Sequence, residues 1–161
     1  MNTTVRRADV RDGAGLARLR WDFRPEHQAA QGWESFRSAF VVWITAALVS
    51  EWDAVVAEDE GGALVGCIFV RSVNKVPTPG AIHRAWGYVT NSYVAPSHRR
   101  TGVGARLLSA VIDVARERAF ELLIVWPSRE AVSFYARAGF QPVDVAHGDP
   151  GDHPPMELVL E

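Results

Sequence analysis

The segment from Tyr93 to Leu108 brings together the residue types that bind a diphosphate. It has the pattern of a strand that ends in a short loop and is followed by a helix, and the loop contains Arg99, Gly102 and Gly104. The first turn of a helix has backbone N–H groups without partners, and the aligned peptide dipoles add partial positive charge there. Glycine lets the backbone approach an anion closely, and arginine adds charge-assisted hydrogen bonds. The segment therefore predicts a phosphate site at a helix N-terminus.

Two other phosphate-binding loops are disfavoured by the residues that follow. A dinucleotide-binding fingerprint requires a third glycine and an acidic residue at the end of the next strand, where this chain has Leu107 and Trp126. A P-loop requires lysine and then serine or threonine after its second glycine, where Ala105 and Arg106 stand. The glycine pair alone suits a structural turn equally well, so a second motif has to decide.

That second motif lies near the C-terminal end, in the order that one family requires. Ser133-Phe134-Tyr135 is followed by Ala138-Gly139-Phe140, and Val94-Ala95-Pro96 precedes the loop. Together with Arg99, Gly102 and Gly104, these residues resemble the Gcn5-related N-acetyltransferase (GNAT) family, whose hallmark is Arg or Gln, two residues, Gly, one residue, then Gly or Ala. The resemblance covers about Trp86 to Pro142, whereas the first 85 residues agree only in the order of their elements.

The resemblance implies that acetyl-CoA is the co-substrate, and no metal is expected because the five histidines lack the spacing of a zinc site. The pantetheine arm would lie between two strands that splay apart, held by backbone groups near Tyr93 and Val94. The pyrophosphate would lie on the loop and first helical turn. The implied contacts are Arg99, Arg100, Thr101, Gly102, Val103, Gly104 and Ala105. Ser128 stands where the family often has an asparagine that touches the cofactor, and it is equally well explained as a helix cap.

The resemblance also implies direct attack of an amine on the thioester in a ternary complex, with Tyr135 as general acid. A phenol has an ordinary pKa of about 10 and a thiol about 8.5, so a positioned tyrosine can protonate a thiolate without being ionised at neutral pH. On spacing alone, Tyr135 would be a packed aromatic residue. The glutamate that several members use as base is missing, because Tyr88 stands there. A water relay, Thr90, Asn91 or an acid from the N-terminal helices could replace it.

This missing glutamate keeps a second hypothesis open, a catalytically silent CoA-binding sensor or regulatory module of the same fold. The acceptor, a small molecule or a peptide, is expected between the first two helices and the loop from Ser72 to Ala85. Asp22 and Glu26 could bind a cation and Trp21 could offer a ring face, with Tyr88 nearby. The alternative is a solvated turn with Trp21 in the core. The segment from Asp144 to Pro155 is expected to be an exposed hairpin loop near the acceptor.

The elements that must position these residues alternate in type. Strands are predicted over Thr4–Ala8, Asp53–Glu58, Leu64–Arg71, Trp86–Ala95, Glu121–Trp126, Phe140–Asp144 and Met156–Leu160. Helices are predicted after Asp9 or Asp12 and over Trp33–Ser50, Gly102–Ala119 and Ser128–Ala138, with a break at Pro25. This order implies an α/β, or mixed α+β, fold with helices on both faces of a mixed sheet. The resemblance adds that the sheet is mostly antiparallel, with about six or seven strands.

Composition limits the remaining possibilities. The 161 residues suit one domain, expected to be an acyl-CoA N-acyltransferase domain over residues 1–161. A net charge of -2 disfavours nucleic acid, and the longest apolar run has eleven residues where a membrane span needs about 20. No secretory signal is visible, so the cytoplasm is the expected compartment. Cys67 is the only cysteine and reads as a packed strand residue, and the histidines lack zinc spacing. The resemblance implies that a homodimer can form.

Overall fold

The structure is a computed structural model that describes residues 2–143 and 154–160. Its strands form one seven-stranded sheet in the order β1-β2-β3-β4-β5-β7-β6. The strands are β1 Thr3–Arg7, β2 Trp52–Asp59, β3 Leu64–Asn74, β4 Ala85–Val94, β5 Leu122–Val125, β6 Gln141–Pro142 and β7 Met156–Val159. The α-helices are α1 Gly13–Phe23, α2 Trp33–Ala47, α3 Val103–Glu117 and α4 Val132–Arg137.

The helices cover both faces of the sheet because the strands are apolar on both sides. Leu107, Leu108 and Val111 of α3 pack on one face together with Ile68 and Val70. On the other face, buried residues of α1 and α2 pack against alternate residues of the same strands. This second group includes Leu16, Leu19, Phe40, Ile44, Val56, Cys67 and Phe69. The predicted mixed, mostly antiparallel sheet with helices on both faces is confirmed.

The parallel pair β4 and β5 separates before β4 ends. Its register runs from Gly87 opposite Leu123 to Val89 opposite Val125, where β5 ends. Strand β4 continues to Val94 along β3 alone. The two strands therefore open a gap at the carboxyl edge of the sheet, where ligands of such sheets bind.

Strand β4 also contains a bulge that the sequence prediction did not include. Cys67 pairs with Tyr93, but Phe69 pairs with Thr90, so β4 has one more residue than β3 at this point. Asn91 occupies the bulge with φ of 52°, a left-handed conformation that asparagine tolerates better than most residues. Because of the bulge, the Ser92 side chain does not point to the face of the sheet that a regular alternation along β4 would give it.

Several predicted boundaries need correction. Residues 72–74 are strand because they pair with Ala85, Trp86 and Gly87, so the loop expected from Ser72 to Ala85 is shorter. The last helix begins as a 3-10 turn, Arg129–Ala131, and the Ser128 side chain makes no capping hydrogen bond. The hairpin turn after β2 forms as predicted: Asp59 Oδ1 accepts hydrogen bonds from the backbone N–H groups of Gly61 and Ala63, each at 2.9 Å.

Three further predictions concern a membrane span, the cysteine and the hairpin loop before β7. In the described residues, no helix has the length and apolar character required to cross a bilayer. The buried thiol of Cys67 is 0% exposed, and its removal from water raises its pKa to about 12, so it is neutral and unreactive in the folded protein. Residues 144–153, where most of the predicted hairpin loop falls, lie outside the described residues.

Candidate active site

A cleft of about 450 Å³, here called the donor cleft, lies where β4 and β5 separate. Its walls come from the end of β4, the start of α3 and the start of α4. The lining includes Phe23, Ile68, Ser92, Tyr93, Val94, Arg99, Arg100, Gly104, Leu107, Ser128, Phe134 and Tyr135. Most of these side chains are apolar, and the charged residues of the lining are Arg99, Arg100 and Glu130. The donor cleft therefore suits an elongated, largely uncharged chain with an anionic terminus.

The loop at the arginine end has the geometry that an anion site requires. Gly102 has φ of 83°, a left-handed conformation that glycine adopts without steric cost, and it directs the chain into α3. Arg106 N–H donates to the Gly102 carbonyl and starts the helical ladder. The N–H groups of Val103, Gly104 and Ala105 precede that first bond and have no partner within the helix. The start of α3 can therefore donate hydrogen bonds to phosphate oxygens.

The side chains around this loop have different tasks. Val103 is buried and anchors the start of α3 in the core. Thr101 Oγ1 donates to the His98 carbonyl at 2.6 Å and holds the loop closed. Ala105 is exposed and lines a neighbouring groove, together with Arg100 and Arg137. This outer groove, about 570 Å³ between α3 and α4, joins the donor cleft through shared lining at Arg100, Gly104 and Phe134.

Arg99 does not extend towards the start of α3. Its Nε donates to the Val94 carbonyl at 2.9 Å, and its guanidinium lies 5.7 Å from the centre of the Tyr93 ring. The side chain is exposed, so it can rotate to another partner at low cost. Arg100, with φ of 60°, is the arginine whose side chain lines both the donor cleft and the outer groove.

Tyr135 lies at the inner end of the donor cleft and is only 3% exposed. Its hydroxyl oxygen is 2.7 Å from Ser92 Oγ, and its ring packs edge-on against Phe134 and Phe140. Burial raises the pKa of Tyr135 above its ordinary value, although the hydrogen bond to Ser92 acts in the opposite direction. Tyr135 is therefore a neutral phenol that can donate its proton.

A second cleft, about 610 Å³, lies on the other side of Tyr135 and is here called the acceptor cleft. It shares Phe23, Ser92, Ser128, Ala131 and Tyr135 with the donor cleft. Its other walls are β4 residues 88–91, the Trp126 to Pro127 segment and Arg24. None of its described lining residues is a carboxylate or an imidazole. The two clefts meet at the hydroxyl pair of Ser92 and Tyr135.

The residues predicted for the acceptor are placed differently from one another. Tyr88 lines the acceptor cleft, where its ring contacts Trp126 edge-on at 5.4 Å. Trp21 packs between the rings of Trp33 and Phe36, in a separate cavity beside α1. Asp22 is exposed and forms an ion pair with Arg18, and Glu26 forms ion pairs with Arg24 and His27. The structure thus brings Tyr88 to the cleft and leaves Trp21, Asp22 and Glu26 outside it.

Two residues of the site, Ser92 and Arg20, were missed by the sequence prediction. Ser92 reaches Tyr135 only because the bulge at Asn91 changes the alternation of β4. Arg20 of α1 extends to that bulge, where its Nη1 donates to Asn91 Oδ1 at 2.7 Å. An asparagine in a strand rich in β-forming residues was the available signal, since asparagine is depleted from regular strands. In the described part of the chain, no group of acidic, histidine or cysteine side chains could hold a metal ion.

Comparison with known proteins agrees with this arrangement. Residues 15–140 match the model of the acetyltransferase (GNAT) family. No curated protein matches the chain. Among solved structures, the chain resembles a predicted acetyltransferase with acetyl-CoA from Clostridium acetobutylicum, at 19% identity over 92% of this chain and 96% of that chain, with a TM-score of 0.71.

Two further structures show the same likeness. One is a GCN5-related N-acetyltransferase from Ralstonia eutropha, at 24% identity over 92% of this chain and 98% of that chain, with a TM-score of 0.69. The other is the PaiA N-acetyltransferase from Thermoplasma acidophilum in complex with coenzyme A, at 16% identity over 99% of this chain and 100% of that chain, with a TM-score of 0.68. At these identities the likeness is one of fold.

Proposed function

The chain belongs to the GNAT acetyltransferase family, and we propose that it transfers the acetyl group of acetyl-CoA to a primary amine. One observation carries the proposal: the buried hydroxyl of Tyr135 lies where the donor and acceptor clefts meet. A thioester in one cleft and an amine in the other would both reach it. Direct attack within a ternary complex is the reaction that such a pair of clefts supports.

Acetyl-CoA would occupy the donor cleft and the outer groove. The pantetheine arm would run along the free edge of β4, using backbone groups of Tyr93 and Val94, and the pyrophosphate would lie on the segment Arg99 to Ala105. In the structure, the Arg99 side chain donates a hydrogen bond to the Val94 carbonyl. When pantetheine donates to that carbonyl instead, the guanidinium of Arg99 becomes available to bind a phosphate oxygen. The similar structures that contain acetyl-CoA or coenzyme A support this choice of donor.

The chemistry needs one proton donor and one site for negative charge. The amine nitrogen forms a bond to the carbonyl carbon, the C–S bond breaks, and the departing thiolate takes the proton of Tyr135. Ser92, donating to the phenolic oxygen, would direct that proton into the donor cleft and stabilise the phenolate that remains. A backbone N–H near Val94 would stabilise the charge on the carbonyl oxygen. Water takes the proton that the nitrogen must lose to become an amide, and solvent returns a proton to Tyr135, so the acetylated amine and the free thiol are the products.

In this proposal, water acts as the base that deprotonates the substrate amine. Tyr88 stands at the position of the family's glutamate, and the amide of Asn91 is held by Arg20 and has no basic lone pair. The carboxylates of Asp22 and Glu26 are paired elsewhere. The amine would therefore lose its proton to water before it enters the acceptor cleft.

The alternative is a CoA-binding module without turnover, and the absent glutamate is the observation that favours it. An amine panel separates the two functions: acetyl-CoA is incubated with amino acids, peptides, polyamines and aminoglycosides, and free thiol and acetylated product are measured. We expect amine-dependent thiol release with equal amounts of acetylated amine, and initial-rate lines that intersect when both substrates are varied. Tight binding of acetyl-CoA without thiol release from any amine would favour the silent module.

A further inference from the structure

A smaller pocket, about 240 Å³, lies beside the acceptor cleft on the side of α1 and α2. The two cavities share Tyr88, Thr90 and Asn91 of β4. Four rings form its other walls, and we call it the aromatic pocket: Phe40, Trp43, Trp52 and Phe69. Its volume is below the range of about 300–1,000 Å³ typical of sites for whole ligands. The aromatic pocket is therefore suited to one side group of a substrate whose body lies in the acceptor cleft.

The walls of the aromatic pocket are preformed by contacts between rings. The ring centres of Trp43 lie 5.7 Å from Trp52 and 5.4 Å from Phe40, and Trp52 lies 6.3 Å from Phe69. Phe69 is buried in the sheet, whereas Trp43 remains 44% exposed although it sits among aromatic neighbours. Aromatic rings attract one another at these distances. An apolar group bound among them would bury further ring surface.

Arg20 supplies the one charge in the lining of the aromatic pocket. In the described chain its guanidinium has no carboxylate partner within ion-pair distance; its single hydrogen bond goes to Asn91, and its other face lies 5.8 Å from the Phe23 ring. Partial burial lowers the pKa of Arg20 from its ordinary value, so the cation is incompletely solvated. A half-buried arginine with unused N–H groups is a strong receptor for a carboxylate.

The charged side chains in the described lining of the acceptor cleft and the aromatic pocket have the same sign. Arg24 lines the acceptor cleft, and the described lining of both cavities contains no aspartate or glutamate. Such a surface repels a second cation, so the four rings do not serve as a cage for an ammonium group, and a polycationic acceptor is disfavoured. It attracts an amine that also carries a negative charge.

We propose that the acceptor is a small primary amine that carries a carboxylate and a bulky apolar or aromatic group. Arg20 binds the carboxylate and the aromatic pocket binds the apolar group, which leaves the amine beside Ser92 and Tyr135. Asn91, which Arg20 holds, is the neighbour of Ser92 in the chain, so Arg20 contacts the same part of β4 that carries the hydroxyl pair. The inference rests on the proposed acetyl transfer and names its substrate class.

Matched amines test the carboxylate. L-phenylalanine, phenylalaninamide and phenethylamine share the ring and the amine and differ in the carboxylate. We expect L-phenylalanine to have the highest kcat/KM, about 10- to 100-fold above phenylalaninamide, as for the loss of a charge-assisted hydrogen bond. Arg20→Gln should abolish this ratio mainly through KM, and Arg20→Lys should restore part of it. If Arg20 had a purely structural role, Arg20→Gln would lower kcat/KM for L-phenylalanine and for phenylalaninamide alike and leave their ratio unchanged. That result would overturn the proposal.

Two variants complete this comparison. Arg18→Gln, on the exposed side of α1 outside both cavities, should keep the wild-type ratio. Trp43→Ala should raise KM for L-phenylalanine about tenfold but leave KM for L-alanine unchanged, because alanine does not fill the aromatic pocket. Equal changes for both amino acids, in a variant that still unfolds cooperatively, would count against the aromatic pocket.

A binding measurement separates this inference from the catalytic proposal. 3-Phenylpropionate has the ring and the carboxylate but no amine, so its affinity for the protein with bound CoA does not depend on turnover. Calorimetry should detect binding that Arg20→Gln weakens about 10- to 100-fold. Binding without acetylation of any amine would refute the transferase and keep the anion site. Acetylation of phenethylamine or a polyamine as fast as L-phenylalanine, with no 3-phenylpropionate binding, would refute the anion site and keep the transferase.

Discussion

At the scale of single residues, the proposed reaction depends on the hydroxyl pair of Ser92 and Tyr135. Tyr135 has a raised pKa because it is buried, so the proton-donating form is present at every pH below about 10. The described lining of the acceptor cleft contains no carboxylate and no imidazole. The pH dependence of the reaction should therefore come from the substrate amine.

The first prediction is a pH profile set by the amine. Below the pKa of the amine, kcat/KM should rise about tenfold per pH unit, and it should not fall again before about pH 10, since only the neutral phenol donates a proton. Two amines with different pKa values provide the control, because their profiles should be displaced by that difference. A rise with the same midpoint near pH 6 to 7 for both amines would reveal a protein base and contradict the solvent route.

Some residues of the site could be predicted from the sequence, and others could not. Tyr135, Arg99, Gly102 and Gly104 could be identified because each belongs to a motif with fixed spacing. Ser92 could not, because a regular strand would direct it away from Tyr135, and only the bulge at Asn91 brings the two hydroxyls together. The aromatic and charged residues that line the acceptor side come from α1 and its end, α2, β2, β3, β4 and the segment after β5, so no local pattern joins them.

At the scale of elements, the proposed binding of the donor depends on the start of α3. Gly102 and Gly104 are two residues apart, yet their environments differ. Gly102 has φ of 83° and open space around its Cα, whereas Gly104 is helical, with the nearest Phe134 atom 3.4 Å from the position of an added Cβ. The first needs glycine for its backbone conformation, and the second tolerates a methyl group.

The second prediction compares these two glycines. Gly102→Ala should lower the free energy of unfolding by about 1 kcal/mol, because alanine in the left-handed region clashes with its own backbone, and it should weaken acetyl-CoA binding by displacing the loop. Gly104→Ala should leave stability equal or slightly higher, because alanine favours a helix. Urea denaturation and acetyl-CoA titration measure both effects. Equal destabilisation by the two substitutions would show that the left-handed turn does not matter.

The element pattern was largely predictable, and its corrections have local causes. Amphipathic spacing located α1, α2 and α3, and alternation located the long strands of the sheet. The loop after β3 was predicted too long because residues 72–74 contain no strong strand signal and are strand through pairing with β4. The separation of β4 from β5 was an implication of the family resemblance; composition and periodicity do not reveal it.

At the scale of the whole molecule, four cavities form a row in which each shares lining residues with the next. The outer groove joins the donor cleft at Arg100 and Gly104, the donor cleft joins the acceptor cleft at Ser92 and Tyr135, and the acceptor cleft joins the aromatic pocket at Tyr88. Arginines lie towards both ends of this path, and the buried phenol lies in the middle. Two anionic substrates that meet at an uncharged centre fit such an arrangement.

Expectations that concern the chain as a whole stay predictions. They are a single domain over residues 1–161, a cytoplasmic location, the absence of nucleic-acid and membrane partners, and a homodimer. Each of them was drawn from composition or from the family resemblance.

The central claim is that Tyr135 protonates the departing thiolate of acetyl-CoA during transfer to an amine. Its most direct test is the steady-state rate of amine-dependent thiol release by Tyr135→Phe, with acetyl-CoA affinity measured separately. Cys67 is buried and does not disturb thiol detection in the folded protein. We expect kcat to fall at least about 100-fold with acetyl-CoA affinity unchanged. Wild-type turnover by Tyr135→Phe would contradict the claim.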